Sequence, residues 1–227
     1  MLVYDPVSGA WQLGLTDGRG GATFTQGVWP VGAELRVGDI NGDGRSDIVG
    51  YNSQSGHGFV AVSRGTGQFQ TVEADWDAAR RAVVANLDGP SAEVILYDPA
   101  TGAWQIRAAN RIGLPVVATG SWLPGLTLHV ADFNADGVDD VFGYDPDTGQ
   151  WLIAVTRGLG QFDVQADFWA LGWMVATGDL NGDGRADVLL FDPATGIWFK
   201  SLTQDPGVFE YWSGTWMPGS VLLGRLR

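Results

Sequence analysis

One phrase recurs through the chain at a nearly fixed interval. Tyr-Asp-Pro-x-Thr/Ser-Gly-x-Trp starts at Tyr4, Tyr97 and Tyr144, returns as FDPATGIW from Phe191, and survives in worn form as YNSQSGHG from Tyr51. The anchors Tyr4, Tyr51, Tyr97, Tyr144 and Phe191 lie 47, 46, 47 and 47 residues apart, and the series Trp29, Trp76, Trp122, Trp169 and Trp216 keeps the same spacing. Two registers on one beat define five units, so the fold is built from five copies of one supersecondary element.

The punctuation inside a unit predicts four short strands. A run such as Glu34 to Gly38 leads into an Asp/Asn/Gly loop, and a run such as Ile48 to Tyr51 follows it. A Pro-x-Thr-Gly turn, a strand such as Trp151 to Thr156, a Gly-rich turn and a strand ending near Trp169 complete the unit. Four antiparallel strands in about 47 residues is the size of a propeller blade. The first and last units carry the same apolar pattern as the middle ones, whereas an open solenoid needs polar caps. The expectation is an all-β, five-bladed β-propeller in one domain, with blades near 1–31 plus 220–227, 32–78, 79–124, 125–171 and 172–219. The chain opens on the second strand of a unit (Leu2 to Tyr4) and stops after the first strand of another (Ser220 to Leu226), so pairing of N- and C-terminal strands closes the ring.

Three of the loops between first and second strands read DINGDGRSD (Asp39 to Asp47), DFNADGVDD (Asp132 to Asp140) and DLNGDGRAD (Asp179 to Asp187). Oxygen side chains fall at loop positions 1, 3, 5 and 9: Asp39, Asn41, Asp43 and Asp47; Asp132, Asn134, Asp136 and Asp140; Asp179, Asn181, Asp183 and Asp187. The backbone carbonyl at position 7 (Arg45, Val138, Arg185) adds one donor. A calcium ion takes six to eight oxygens, which such a loop and water can provide, whereas Mg²⁺ keeps more of its waters. Glycine at position 6 suits a sharp turn with positive φ. The fourth loop, VVANLDGPSAE, keeps only Asn86, Asp88 and Glu93, and in the fifth Arg225 stands where the first Asp should be. Three Ca²⁺ sites are expected.

These loops, each ahead of a strand of the Ile-Val-Gly-Tyr kind, resemble the FG-GAP/VCBS repeats of integrin α-subunit propellers, repeats also present in secreted bacterial proteins and fungal lectins. The resemblance spans essentially the whole chain. It implies a propeller with structural Ca²⁺ in an extracellular, secreted or cell-surface setting. Integrin-type propellers have seven blades, so the count of five rests on the units in this sequence.

Composition narrows the function. With 13 Lys plus Arg against 26 Asp plus Glu, the net charge of −13 disfavours nucleic acid and anionic membranes, both of which need a positive footprint. No stretch approaches 18 apolar residues, and the absence of cysteine removes thiolate chemistry. The start, MLVYDPVSG, lacks the pattern of a signal peptide. Catalysis needs distinct residues in distinct roles, and the chain has only two histidines, His57 in the worn turn copy and His129 at the first-strand position held by Arg36 in another unit; neither has an evident nucleophile beside it, and both read as surface histidines. Asp5, Asp98, Asp145 and Asp192 precede Pro and a Thr/Ser-Gly turn and read as Asx-type turn residues.

Eleven tryptophans suggest carbohydrate, since aromatic faces stack on sugar rings, yet exposing all of them would create very large apolar patches. Of the two repeated series, one is expected to pack between blades, and Trp11, Trp104, Trp151 and Trp198 could line a pocket. The expectation is a monomeric, non-enzymatic, calcium-stabilised, lectin-like module that binds glycans. The alternatives are a protein-binding adhesion or scaffold propeller and an accessory domain of a larger secreted enzyme.

Overall fold

The computed structural model describes residues 1–108 and 114–221. It is all-β, with 19 strands in five antiparallel sheets and no helix among the described residues. The first sheet has three strands, β1 (Leu2–Tyr4), β2 (Ala10–Thr16) and β3 (Ala22–Val28). The other four sheets have four strands each, in sequence order. They comprise β4 (Glu34–Gly38), β5 (Asp47–Tyr51), β6 (His57–Ser63) and β7 (Phe69–Asp75); β8 (Arg81–Ala85), β9 (Glu93–Tyr97), β10 (Ala103–Arg107) and β11 (Val116–Ser121); β12 (Thr127–Ala131), β13 (Asp140–Tyr144), β14 (Gln150–Thr156) and β15 (Phe162–Phe168); and β16 (Met174–Gly178), β17 (Asp187–Phe191), β18 (Ile197–Asp205) and β19 (Val208–Thr215). The expected closing strand lies, from Leu222 onward, outside the described residues, and Ser220 and Val221 are not in a strand.

The chain divides into two compact units. Unit 1 comprises Met1–Val84, Pro90–Leu96 and Arg107–Val116; unit 2 comprises Ala85–Gly89, Tyr97–Ile106 and Val117–Arg227. Unit 1 packs Ile40, Val49, Tyr51, Val60, Trp76, Val94 and Leu96 in one cluster and Trp29, Ile48, Phe59 and Ala61 in another. Unit 2 is centred on Phe133, Phe142, Tyr144, Trp151, Ile153, Val188 and Leu190. In both, the second strand of a four-stranded sheet is buried at every position: DIVGY, EVILY, DVFGY and DVLLF. Burial on both faces explains why these strands are continuous apolar runs, while their outer neighbours, such as β15, are mostly exposed.

The repeat phrase is explained by two anchors. The first is the Asx turn. Asp145 accepts the Asp147 N–H at 3.0 Å and the Thr148 hydroxyl at 2.6 Å, and Asp5, Asp98 and Asp192 repeat the pattern. The second is the tyrosine. The Tyr144 hydroxyl donates to the Ala170 carbonyl at 2.6 Å and accepts the Trp173 N–H at 3.3 Å, tying the second strand to the turn after the fourth. Tyr4, Tyr51 and Tyr97 donate to the equivalent carbonyls of Pro30, Asp77 and Leu123. Phe191 has no hydroxyl, and there the Ser220 hydroxyl donates to the Met217 carbonyl at 2.7 Å instead. Tyr144→Phe removes two part-buried hydrogen bonds, so chemical denaturation should show a loss of about 0.5–1.5 kcal/mol per bond. An unchanged midpoint would remove the hydroxyl from the account.

Candidate ligand and cation sites

The Trp-rich positions form aromatic clusters between consecutive sheets. In unit 1 the Trp11 ring stacks on Trp29 at 4.8 Å, and Phe69 meets both edge-on at 5.3 and 5.2 Å. In unit 2 the same triad recurs as Trp104, Trp122 and Phe162 and as Trp151, Trp169 and Phe209. Trp198 pairs with Trp216 at 5.6 Å. Trp104 and Trp151 are buried, and Trp11 and Trp198 are half-buried. Their indole N–H groups are buried without a hydrogen-bond partner. Close approach is allowed by glycine: a Cβ on Gly120 would lie 2.3 Å from Trp104 Cζ2. The four rings expected to line a pocket therefore sit in packed aromatic clusters.

The three acidic loops share one architecture. Asp39 Oδ1 accepts the Gly42 and Asp43 N–H groups and Oδ2 accepts that of Gly44; Asp132 and Asp179 repeat this bonding with small variations. At position 3, Asn41 Oδ1 accepts the Asp43 N–H while its amide donates to Asp43 Oδ2 at 3.2 Å. At position 5, Asp43 accepts the Arg45 N–H. Asn134, Asp136, Asn181 and Asp183 do the same, with Val138 and Arg185 as the amide donors. Gly44, Gly137 and Gly184 have φ of 81°, 84° and 88°, the left-handed turn that position 6 demands.

Position 9 is built differently from its neighbours. Asp47, Asp140 and Asp187 are fully buried, and each accepts two backbone N–H groups. Asp140 takes those of Phe133 and Thr156 at 2.9 and 2.8 Å, while Asp47 takes Ile40 and Ser63 and Asp187 takes Leu180 and Thr203. Burial pushes the Asp140 carboxyl up to about 6, against the effect of its amide partners, and the Asp136 and Asp132 carboxylates push the same way. Asp47 and Asp187 are raised for the same reasons. No group of three or more His, Asp or Glu side chains among the described residues is arranged to hold a metal by itself. The side chains at positions 1, 3 and 5 are hard oxygen donors on an exposed loop, each already accepting backbone N–H groups, and this chemistry fits Ca²⁺ rather than a softer ion.

Successive loops are joined by one repeated bond: the residue at position 8 donates its N–H to the position 1 carbonyl of the preceding loop. In unit 1 this is Ala92 to Asp39, and in unit 2 Asp139 to Asn86 and Ala186 to Asp132, all at 2.7 Å. At the Asn86 junction the Asp139 carboxylate also accepts the Asn86 N–H at 2.8 Å. Beside that junction, within unit 2, opens a pocket of about 550 Å³ lined by Asn86, Asp88, Asp136, Thr156 and Arg157 together with Leu87, Val138 and neighbouring glycines. Arg157 is held by Asp163 at 2.7 Å, and the Thr156 hydroxyl donates to the Asp139 carbonyl. The lining thus mixes hydrogen-bond donors and acceptors with apolar side chains, the makeup of a small-molecule site.

Reading the sequence missed this pocket. Its signal was a second phrase, Ser63-Arg64-Gly65-Thr66-Gly67-Gln68-Phe69, which returns as Thr156-Arg157-Gly158-Leu159-Gly160-Gln161-Phe162. Of the two histidines, His57 stands at the surface with Asp75 and Glu73 at 3.2 and 3.3 Å. His129 is withdrawn from solvent beside Phe142, and burial lowers its pKa to about 4, which corrects the expectation of a surface residue. No helix among the described residues is long and apolar enough to cross a membrane.

No protein-family model matches the chain, and a search of curated proteins finds no match. Among solved structures, the chain is similar to a lectin from Agrocybe aegerita described as specifically recognising non-reducing terminal N-acetylglucosamine. The two agree with a TM-score of 0.70 at 20% identity, over 92% of this chain and 61% of the lectin's, so the chain spans less than two thirds of that protein's length. A likeness at this identity is a likeness of fold.

Proposed function

We propose that the chain is a carbohydrate-binding, lectin-like module whose sheets form a five-bladed β-propeller stabilised by calcium. The observation that carries this reading is the extent of the fold shared with a lectin, 92% of this chain. The pocket at the Asn86 junction, with hydrogen-bonding groups in its lining, supports it. Sugar hydroxyls would meet Asn86, Asp88, Thr156 and Arg157, and the rigid loop seam would hold those groups in place before the ligand arrives.

Calcium would be held at each intact loop by the side chains at positions 1, 3 and 5 and the carbonyl of Arg45, Val138 or Arg185, with Asp47, Asp140 or Asp187 bracing the loop from beneath. The ion would supply charge compensation to closely spaced carboxylates. Ring closure would use the segment from Ser220 onward as the fourth strand of the first sheet, beside β1. Multivalency follows if equivalent pockets form around the ring, converting weak single-site affinity into avidity.

A second reading, docking of a protein, is favoured by exposed Phe168, Leu171 and Trp212, which are 63%, 63% and 56% exposed. A glycan array run with and without EDTA separates the two. The lectin reading expects binding to a defined set of terminal sugars that weakens in EDTA; silence across the array, with capture of a protein partner through the exposed aromatic residues, would replace it.

A further inference from the structure

We propose that Asn41 and Asn181 are sites of spontaneous deamidation, driven by the loops that hold them. The chain contains two Asn-Gly pairs, Asn41-Gly42 and Asn181-Gly182, both exposed and both at position 3 of an acidic loop. The reaction requires the backbone nitrogen after asparagine to attack the side-chain Cγ. Three features of each loop favour that attack.

The attacking nitrogen is unhindered, because glycine has no Cβ. Its proton has an acceptor in place: the Gly42 N–H donates to Asp39 Oδ1 at 2.8 Å and the Gly182 N–H to Asp179 Oδ1 at 2.6 Å. The electrophile is polarised, since Asn41 Oδ1 and Asn181 Oδ1 each accept a backbone N–H, from Asp43 and Asp183, at 2.9 Å. That donor points at the oxygen on which negative charge develops during attack. The same bond closes an Asx turn, which folds the carboxamide back along the following peptide.

The steps balance without a redox partner. The glycine nitrogen bonds to Cγ as its proton passes to the aspartate at position 1. The Cγ–Nδ2 bond then breaks, and Nδ2 leaves as ammonia after taking that proton. The resulting succinimide is opened by one water molecule, at either carbonyl, to aspartate or isoaspartate. Aspartate adds a carboxylate to an already acidic loop, whereas isoaspartate adds a methylene to the backbone and disrupts the turn.

The second loop is an internal control. Asn134 makes the same set of bonds, with Ala135 N–H to Asp132 Oδ1 at 2.7 Å and Asp136 N–H to Asn134 Oδ1 at 2.9 Å, but its attacking nitrogen belongs to an alanine. Ala135 holds a φ of 61°, so glycine is tolerated there without strain.

The test is peptide mapping by mass spectrometry of the folded, calcium-free protein, held in EDTA, during incubation at mildly alkaline pH, with isoaspartate distinguished by fragmentation. Peptides carrying Asn41 and Asn181 should gain one mass unit at least about tenfold faster than the Asn134 peptide, a barrier difference of ~1.4 kcal/mol. Ala135→Gly should raise the Asn134 rate to that of the other two. Asp39→Asn should slow reaction at Asn41 while Asn181, in the same molecule, keeps its rate. Equal rates at Asn41, Asn134 and Asn181, or an Asn134 rate indifferent to Ala135→Gly, would overturn the site assignment. An Asn41 rate unchanged or raised by Asp39→Asn would overturn the role of the loop.

Discussion

Chelation of calcium is expected to lower the melting temperature by roughly 10 to 20 °C. A ligand that binds only the native state adds RT ln(1 + [L]/Kd) per site. With Kd of about 10⁻⁴ M, at the tight end for extracellular-type sites, about 2 mM Ca²⁺ adds roughly 1.8 kcal/mol per loop. Three loops therefore contribute about 5 kcal/mol, a large share of the 5 to 15 kcal/mol typical of a domain. The triple change Asp43→Ala, Asp136→Ala and Asp183→Ala should abolish most of this response, because it removes a position 5 carboxylate from every intact loop and leaves the buried position 9 bonds in place. Asp88→Ala, in the worn loop, should leave the response nearly intact. Melting indifferent to both calcium and EDTA would leave these loops as acidic turns braced by backbone bonds.

Trp151→Ala carries the other large effect. The ring is buried, stacks on Trp169 at 5.1 Å and receives Phe209 from the next sheet at 5.5 Å. Truncation removes contacts on both sides of a sheet-to-sheet seam and should cost about 3–5 kcal/mol. Trp212→Ala, at an exposed and non-repeating position, should stay within about 0.5 kcal/mol of the parent. Denaturation of the two variants side by side decides the matter. A Trp151→Ala protein that melts like the parent but loses sugar binding would turn the aromatic seam into a ligand face.

Much of this architecture was legible because repetition amplifies weak signals. A single YDP-x-T/S-G-x-W phrase is only a turn, but five copies on one beat placed four strands in each unit, and four of the sheets carry all four while the first carries three. The fully buried second strands were legible too, as unbroken apolar runs closed by Tyr or Phe. What the sequence hid were contacts between positions far apart in the chain. The Tyr144 hydroxyl reaches a carbonyl 26 residues away, and Phe69, Phe162 and Phe209 complete aromatic triads begun in the preceding sheet. For the same reason Trp11, Trp104, Trp151 and Trp198, polar at one edge and large, were open to a pocket reading that their packing does not favour.

The acidic loops divide in the same way. Spacing identified all four oxygen positions, yet only three-dimensional proximity separates Asp47, Asp140 and Asp187 from the rest, because their amide partners at Ser63, Thr156 and Thr203 lie 16 residues downstream. The pocket beside Asn86 was hidden further still. It joins a worn loop, an intact loop and the turn after β14, three segments separated along the chain.

Glycan recognition at that pocket is the central claim, and calorimetric titration of the calcium-loaded protein with the oligosaccharide that binds best on the glycan array tests it most directly. Saturable heat is expected from the parent, with Arg157→Ala weakening binding at least about tenfold, equivalent to ~1.4 kcal/mol, while melting is preserved. No heat with this sugar or with oligosaccharides ending in other residues, or binding that ignores Arg157→Ala, would contradict it.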